Sequence, residues 1–392
     1  MIFLRKINKS LPLLLLCTLL STNIYAQLDS IPLDNENAYL LKSKILDQSR
    51  SVWVHLPYDY ATTNQTYPVL YLLDGDGHFK YVSQLVDYLS SKDRNKIPEM
   101  IVVGIPNINR GKDLHLVHPM RNTKQDSSII STSEGGGKFL RFIQQELVPD
   151  IESKYRTQPY RILMGHSLAG QLALYTKNML PDLFGATILI SPAILDANPT
   201  LLPDFGHLLQ QQKQRSGKMF ITIGDEDTQK LDMMVQSLKM HAPKSFAWDY
   251  RQYKDENHFS VTYKSMFDAL KFIYTDWFID FRSKKKMSYK DIEEHFKKLS
   301  SDFGYVIKPN ESFVNNCGYM QLRAKNIDEA IDIFKHNIEN FPASWNVYDS
   351  MGEAYTVRGN KELAISNYEK SIRLNPNNED GKEMLKKLKT EK

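Results

Sequence analysis

Between about Ser51 and Phe281 short apolar runs alternate with stretches of helical periodicity, and few architectures can hold that alternation. Val69-Leu70-Tyr71-Leu72-Leu73 and Met100-Ile101-Val102-Val103-Gly104-Ile105 are continuous apolar runs, as are Ala186 to Ile190 and Met219-Phe220-Ile221-Thr222-Ile223. Strands buried on both faces read this way, which is the condition of a parallel sheet. Ser51 to Leu56 is β-rich and stops at Pro57, and Trp248 to Tyr253 alternates like a last strand. Between them, Phe139, Ile143, Leu147 and Ile151 recur every four residues on one helix face, with Pro149 predicting a kink or stop. Phe259 to Phe278 is also helical in pattern. Strands alternating with helices predict an α/β fold: a doubly wound, mostly parallel sheet covered on both sides.

One junction in this alternation carries chemistry. Arg161-Ile162-Leu163-Met164 leads into Gly165-His166-Ser167-Leu168-Ala169-Gly170, and Gln171 to Tyr175 continues as a helix. A strand, a tight Gly-x-Ser-x-small turn and a helix form the setting of a nucleophile elbow, in which strand and helix nearly touch and only small neighbours fit. Ala169 stands where the pattern has its last glycine, and Gly170 follows at once. Ser167 is the candidate nucleophile. Serine needs a base, and the base needs an orienting acid. On a doubly wound hydrolase sheet these follow in the order serine, acid, histidine. Asp225-Glu226-Asp227 directly follows the strand ending at Ile223-Gly224, and His258 closely follows the last strand. Parallel strands end together, so all three loops share one sheet edge. His258 is the expected base. Asp227 is the first choice of acid, with Glu226 the alternative and Asp225 third.

An oxyanion hole needs backbone N–H donors. Leu168, next after the serine, is expected to supply one. Asp76, in the loop Asp74-Gly75-Asp76-Gly77, is expected to supply the other, and glycines such as Gly75 let backbone approach a substrate closely. The same Asp-Gly-Asp-Gly loop has a rival reading as a calcium loop, but the remaining ligands of such a loop are missing. His115 and His118 resemble a metal pair without a third ligand nearby. Glu134 followed by Gly135 to Gly137 lacks the Lys-Ser or Lys-Thr of a phosphate loop, and a flexible rim is the better reading. His55 and His166 read as structural. No metal or organic cofactor is implied.

The flanks differ from this body. A basic start, the apolar run Leu11 to Leu20 and Ile24-Tyr25-Ala26 before Gln27 predict a signal peptide cleaved after Ala26, hence export to the periplasm or beyond. Cys17 leaves with it, so Cys317 stands alone without a disulfide partner and reads as a small buried hydrophobe. The net charge is +4, and removing Arg5, Lys6 and Lys9 leaves about +1, which gives no reason to invoke nucleic acid or an anionic membrane. No later segment is apolar enough to span a bilayer. Beyond a charged stretch from Lys284 to Lys308, the chain repeats. Gly318 and Gly352, Ala330 and Ala364, Phe334 and Tyr368, and Pro342 and Pro376 are each 34 residues apart. That is the tetratricopeptide period, a helix–turn–helix unit. Helices near Asp291 to Leu299 and Glu379 to Leu388 are expected to complete the stack.

Tyr71 to Asp76, Ile101 to Ile105, Gly165 to Gly170 and Glu256-Asn257-His258 together resemble the putative-esterase family of α/β-hydrolases over about Ser43 to Phe281, and within it the siderophore-esterase branch. The resemblance implies catalytic roles for Ser167 and His258, and for Asp227 less directly. It also implies an Arg-x-x-Asp segment near the site, which Arg110 and Asp113 fit, with Arg110 orienting an anionic substrate. Where relatives carry bulky aromatics after Ser-Pro, this chain has Ser191-Pro192-Ala193-Ile194-Leu195. The expectation is therefore a signal peptide at 1–26, a hydrolase domain at 27–282, a helical linker at 283–310 and two tetratricopeptide-like repeats with a capping helix at 311–392. The expected activity is carboxylic ester hydrolysis through an acyl-enzyme on a small-molecule ester. An acyltransferase using the same residues, or an adaptor binding a protein partner through the repeats, are the alternatives.

Overall fold

The computed structural model describes residues 36–91, 94–116, 135–194, 201–211, 217–278 and 286–390. The expected signal peptide with Cys17, and His118, Glu134 and Leu195, lie outside these residues. Eight strands form one sheet: β1 (Glu36–Ser43), β2 (Gln48–His55), β3 (Tyr67–Leu73), β4 (Ile101–Ile105), β5 (Thr157–His166), β6 (Ala186–Ile190), β7 (Gly217–Ile223) and β8 (Phe246–Gln252). Their spatial order is β1-β2-β4-β3-β5-β6-β7-β8. β1 pairs antiparallel with β2, and β2 with β4, while every other pairing is parallel. β1 was not foreshadowed by an apolar run, because an edge strand with exposed positions such as Leu40 carries a mixed sequence.

Alternate residues of each central strand serve different helices. Val69, Tyr71 and Leu163 face α3 (Gly136–Phe142), α5 (Leu168–Met179), α6 (Leu201–Gln211) and α7 (Gln229–His241). Leu70, Leu72 and Ile162 face α1 (Gly75–Ser90) and α8 (Val261–Ile273). Both side-chain rows are buried, which is why these strands read as unbroken apolar runs. The expected helix over Phe139 to Ile151 is continuous but widens to a π turn at Ile143–Leu147 before α4 (Val148–Lys154). Pro149 lacks the N–H that would continue the ladder, so the helix adjusts there without stopping. The short α2 (Arg110–Leu114) follows β4.

The C-terminal region is all helical: α9 (Tyr289–Phe303), α10 (Glu311–Arg323), α11 (Ile327–Asn340), α12 (Trp345–Arg358), α13 (Lys361–Leu374) and α14 (Glu379–Thr390). The 34-residue spacing has a physical counterpart. A side chain at Gly318 would collide with the ring of Phe334, and one at Gly352 would sit 3.1 Å from the ring of Tyr368. Each helix pair thus closes on a glycine–aromatic contact. Cys317 is buried, and burial pushes its thiol pKa well up. Helix α9 belongs to both regions. Leu299 and Phe303 complete the core between α1, α8 and the sheet, while Ile292 packs with Val314, Cys317 and Ile333. Phe303 stacks on Tyr274 at 5.0 Å and meets Tyr160 edge-on at 4.9 Å. Lys218 lies 4.5 Å over its ring, and burial lowers that ammonium's pKa. Tyr160 and Lys218 sit at the starts of β5 and β7, so this seam is at the end of the sheet opposite Ser167.

Candidate active site

Ser167 caps α5 at the end of β5 with φ 58° and ψ −119°. A serine pays for that conformation in steric strain, and such strain persists only where the surroundings hold it. They do so here through backbone bonds. The Ser167 N–H donates to the Ile190 carbonyl at 2.9 Å, and its carbonyl accepts from Gln171 at 3.1 Å and Ala193 at 2.9 Å. A side chain at Gly165 would collide with the Ala169 carbonyl, and one at Gly170 would lie 3.1 Å from Pro192. The demand for small residues therefore falls on Gly165 and Gly170, which is why Ala169 is tolerated, its methyl fully buried.

The loops after β7 and β8 are closely joined. Gly224 permits this, since a Cβ there would stand 2.7 Å from the Glu256 carbonyl. Asp225 N–H donates to that carbonyl at 2.7 Å. The junction brings Glu226, not Asp227, to His258: Glu226 Oε2 lies 2.6 Å from His258 Nδ1. Its other oxygen accepts from Ser191 Oγ at 2.7 Å and from Gly224 N–H at 3.3 Å. The preference for Asp227 is thereby corrected. Asp227 accepts from Gln229 N–H at 3.0 Å at the start of α7, and Asp225 is exposed. Three consecutive acids point in different directions from a turn, so chain position alone could not choose among them. Ser191, the partner that aims Glu226, carried no sequence signal of this role.

A carboxylate can only accept, so His258 Nδ1 carries the proton and Nε2 is left as the basic nitrogen. Among the described residues no hydrogen bond joins Ser167 Oγ to His258 Nε2. Such pairs commonly tighten to bonding distance only with substrate in place. His166, read as structural, turns out to hold the histidine loop. Its Nε2 donates to the His258 carbonyl at 2.7 Å, and the two rings stand 4.8 Å apart. Burial pushes His166 down to about 4, against the hydrogen bond to the His258 carbonyl, which works the other way. It stays neutral at pH 7 and adds no like charge beside His258. His78, on α1, packs edge-on against His166 at 6.0 Å and is likewise pushed down by burial.

Leu168 and Asp76 occupy the first turns of α5 and α1, where N–H groups have no intrahelical acceptor. Gly75 is not open to a ligand: it is buried, and a Cβ would sit 2.7 Å from the Ile105 nitrogen. Its smallness serves the contact of α1 with β4. Arg110 is likewise committed within the protein. Its Nε and Nη2 grip Asp74 at 2.7 and 2.9 Å, and Nη2 also donates to the His166 carbonyl at 3.2 Å. That carboxylate raises the Arg110 pKa further. Asn107 joins Asp74 to Asp76, with Nδ2 2.8 Å from each. The aspartates read as a possible calcium loop are thus partnered by Arg110 and Asn107. Asp113 does not act with Arg110; it forms a buried ion pair with Arg50 at 2.7 Å. His55 bonds Asp87 at 2.9 Å, a packing role.

Residues 43–273 match the family described as Putative esterase. Ferri-bacillibactin esterase BesA of Bacillus subtilis (strain 168) is 25% identical over 232 residues, 53% of this chain and 78% of that protein. The crystal structure of an IroE-like serine hydrolase from Shewanella oneidensis is similar with a TM-score of 0.66 at 25% identity, covering 78% of this chain and 99% of that one. An uncharacterised protein from Capnocytophaga ochracea DSM 7271 is similar in fold, with a TM-score of 0.68 at 16% identity, covering 91% of this chain and 100% of that one. With a family match over more than half its length, the chain belongs to the putative-esterase family and is a carboxylic ester hydrolase.

Proposed function

We propose that the chain hydrolyses a siderophore-type ester through an acyl-enzyme on Ser167, with His258 as base and Glu226 as orienting acid. The observation that carries this reading is the 2.6 Å contact of Glu226 with His258 Nδ1, on a loop tied by His166 to the strained turn of Ser167. Ser167 Oγ bonds to the ester carbonyl carbon while its proton passes to His258 Nε2. The carbonyl oxygen becomes an oxyanion facing the N–H groups of Leu168 and Asp76. The C–O bond then breaks, and His258 returns the proton to the departing alkoxide. Water repeats the cycle on the acyl-enzyme and releases the acid.

The siderophore substrate rests on the likeness to a ferri-bacillibactin esterase. We read the C-terminal helices as tetratricopeptide-like repeats, from their 34-residue glycine–aromatic spacing. Their seam at the opposite end of the sheet favours a role other than closing over Ser167. We assign export from the N-terminal leader pattern.

Labelling with a fluorophosphonate probe tests the nucleophile. The serine oxygen bonds to phosphorus and fluoride leaves, so wild type should be labelled and Ser167→Ala should not. Equal labelling of both, or none of folded wild type, would sink the assignment.

A further inference from the structure

We propose that Phe259 walls the subsite for the alcohol half of the ester, and that this subsite takes an aromatic alcohol. The inference rests on the reading of Ser167 and His258 above and adds the chemistry of the alcohol half of the substrate. Phe259 directly follows His258 and is 78% exposed, although an apolar ring left in water forgoes the free energy of burial. The ring stands perpendicular to His258 at 5.2 Å and lies 6.5 Å from His166. It is placed by its backbone rather than by packing. The N–H groups of Phe259 and Ser260 both donate to Asn257 Oδ1, at 2.9 and 3.0 Å. Ser260 Oγ, in turn, bonds Glu256 at 2.6 Å.

Reaction chemistry says which half of the ester meets this ring. His258 must hand its proton to the leaving oxygen, so the alcohol group lies against the loop that carries His258. The nearest apolar surface on that loop is Phe259. Four residues on, Tyr263 is half exposed and pairs with Tyr81 of α1 at 4.2 Å, which extends the aromatic surface. The segment after Ser191 offers no such ring among the described residues: Ala193 is bonded to the Ser167 carbonyl, and Ile194 is 9% exposed. An aromatic alcohol would meet Phe259 in the edge-to-face or offset geometry that aromatic pairs prefer.

The test uses benzyl acetate, cyclohexylmethyl acetate and ethyl acetate, with methyl benzoate to place an aromatic group on the acyl side. The three acetates share one acetyl-enzyme, so differences in kcat/KM among them report acylation, when the alcohol is still present. In Phe259→Ala the benzyl-to-ethyl ratio of kcat/KM should fall about 10-fold relative to wild type. Phe259→Leu should recover the cyclohexylmethyl ratio more fully than the benzyl ratio. The methyl benzoate-to-ethyl acetate ratio should move by less than about twofold. An equal loss on all four esters, or a loss confined to methyl benzoate, would overturn the subsite. A wild type that cleaves none of them and resists fluorophosphonate would overturn the reading of Ser167 itself, and the two failures are distinct.

Discussion

Glu226→Gln tests the acid assignment more sharply than removal of the side chain, because it keeps the volume and changes one group. The Gly224 N–H can only donate, and it points at Glu226 Oε1. The amide oxygen of glutamine should turn toward it, leaving the NH2 facing His258 Nδ1. That would force His258 to carry its proton on Nε2, the tautomer that cannot accept from Ser167. The imidazolium formed in the transition state would also lose its counter-charge. The two side chains are 29% and 26% exposed, so an intermediate dielectric applies. At roughly 4 Å between charge centres and an effective dielectric of about 20, the lost attraction is about 4 kcal/mol. That corresponds to about 10³ in rate. The assay is kcat/KM on a p-nitrophenyl ester, with the second-order rate of fluorophosphonate labelling beside it. Asp227→Asn is the control, since an asparagine oxygen can still accept from Gln229, and its effect should stay within about twofold. A Glu226→Gln variant within tenfold of wild type, or an Asp227→Asn variant that loses a hundredfold, would refute the reasoning.

Two further outcomes follow from buried contacts. His166 is pushed down to about 4 in the folded chain and titrates near 6.5 when unfolded, so the unfolded state binds the extra proton between those values. Stability should therefore fall as pH falls, by about 2 kcal/mol from pH 7.5 to pH 5. His166→Gln, which can still donate to the His258 carbonyl, should flatten that slope in denaturant titrations; an unchanged slope would count against it. Phe303→Ala should cost about 3–5 kcal/mol by the same measurement, because its ring is buried among Tyr160, Tyr274 and Lys218. A loss below about 1 kcal/mol would mean that α9 is not part of the hydrolase core.

The seam at Phe303 also bears on how the chain divides. Charge and mixed composition made 283–310 read as a linker, yet α9 contributes Leu299 and Phe303 to one core and Ile292 to another. The helix itself was expected near Asp291 to Leu299 from its apolar stripe; what its sequence did not show is that the two ends of that stripe enter different cores. Its partners at Tyr274 and in α8 lie about thirty residues back and Tyr160 more than a hundred, so no local window could reveal them.

What the sequence determined by itself were the properties that depend on neighbours along the chain. Continuous apolar runs foretold strands buried on both faces, and β6 spans Ala186–Ile190 as the run predicted. Gly165, Ser167 and Gly170 foretold the sharp turn, because close approach of strand to helix excludes larger side chains. The 34-residue spacing foretold paired helices, each closing on a glycine and an aromatic ring. Tertiary structure alone decided which groups meet across the sheet edge. It set Glu226 rather than Asp227 on His258, spent Arg110 on Asp74 and Asp113 on Arg50, and turned His166 into the brace of the histidine loop. Those choices depend on side-chain directions at the ends of different strands, where a change of one residue turns a side chain elsewhere. Parallel strands bring such loops together whatever the sequence between them, and only the packed sheet selects which side chain faces which.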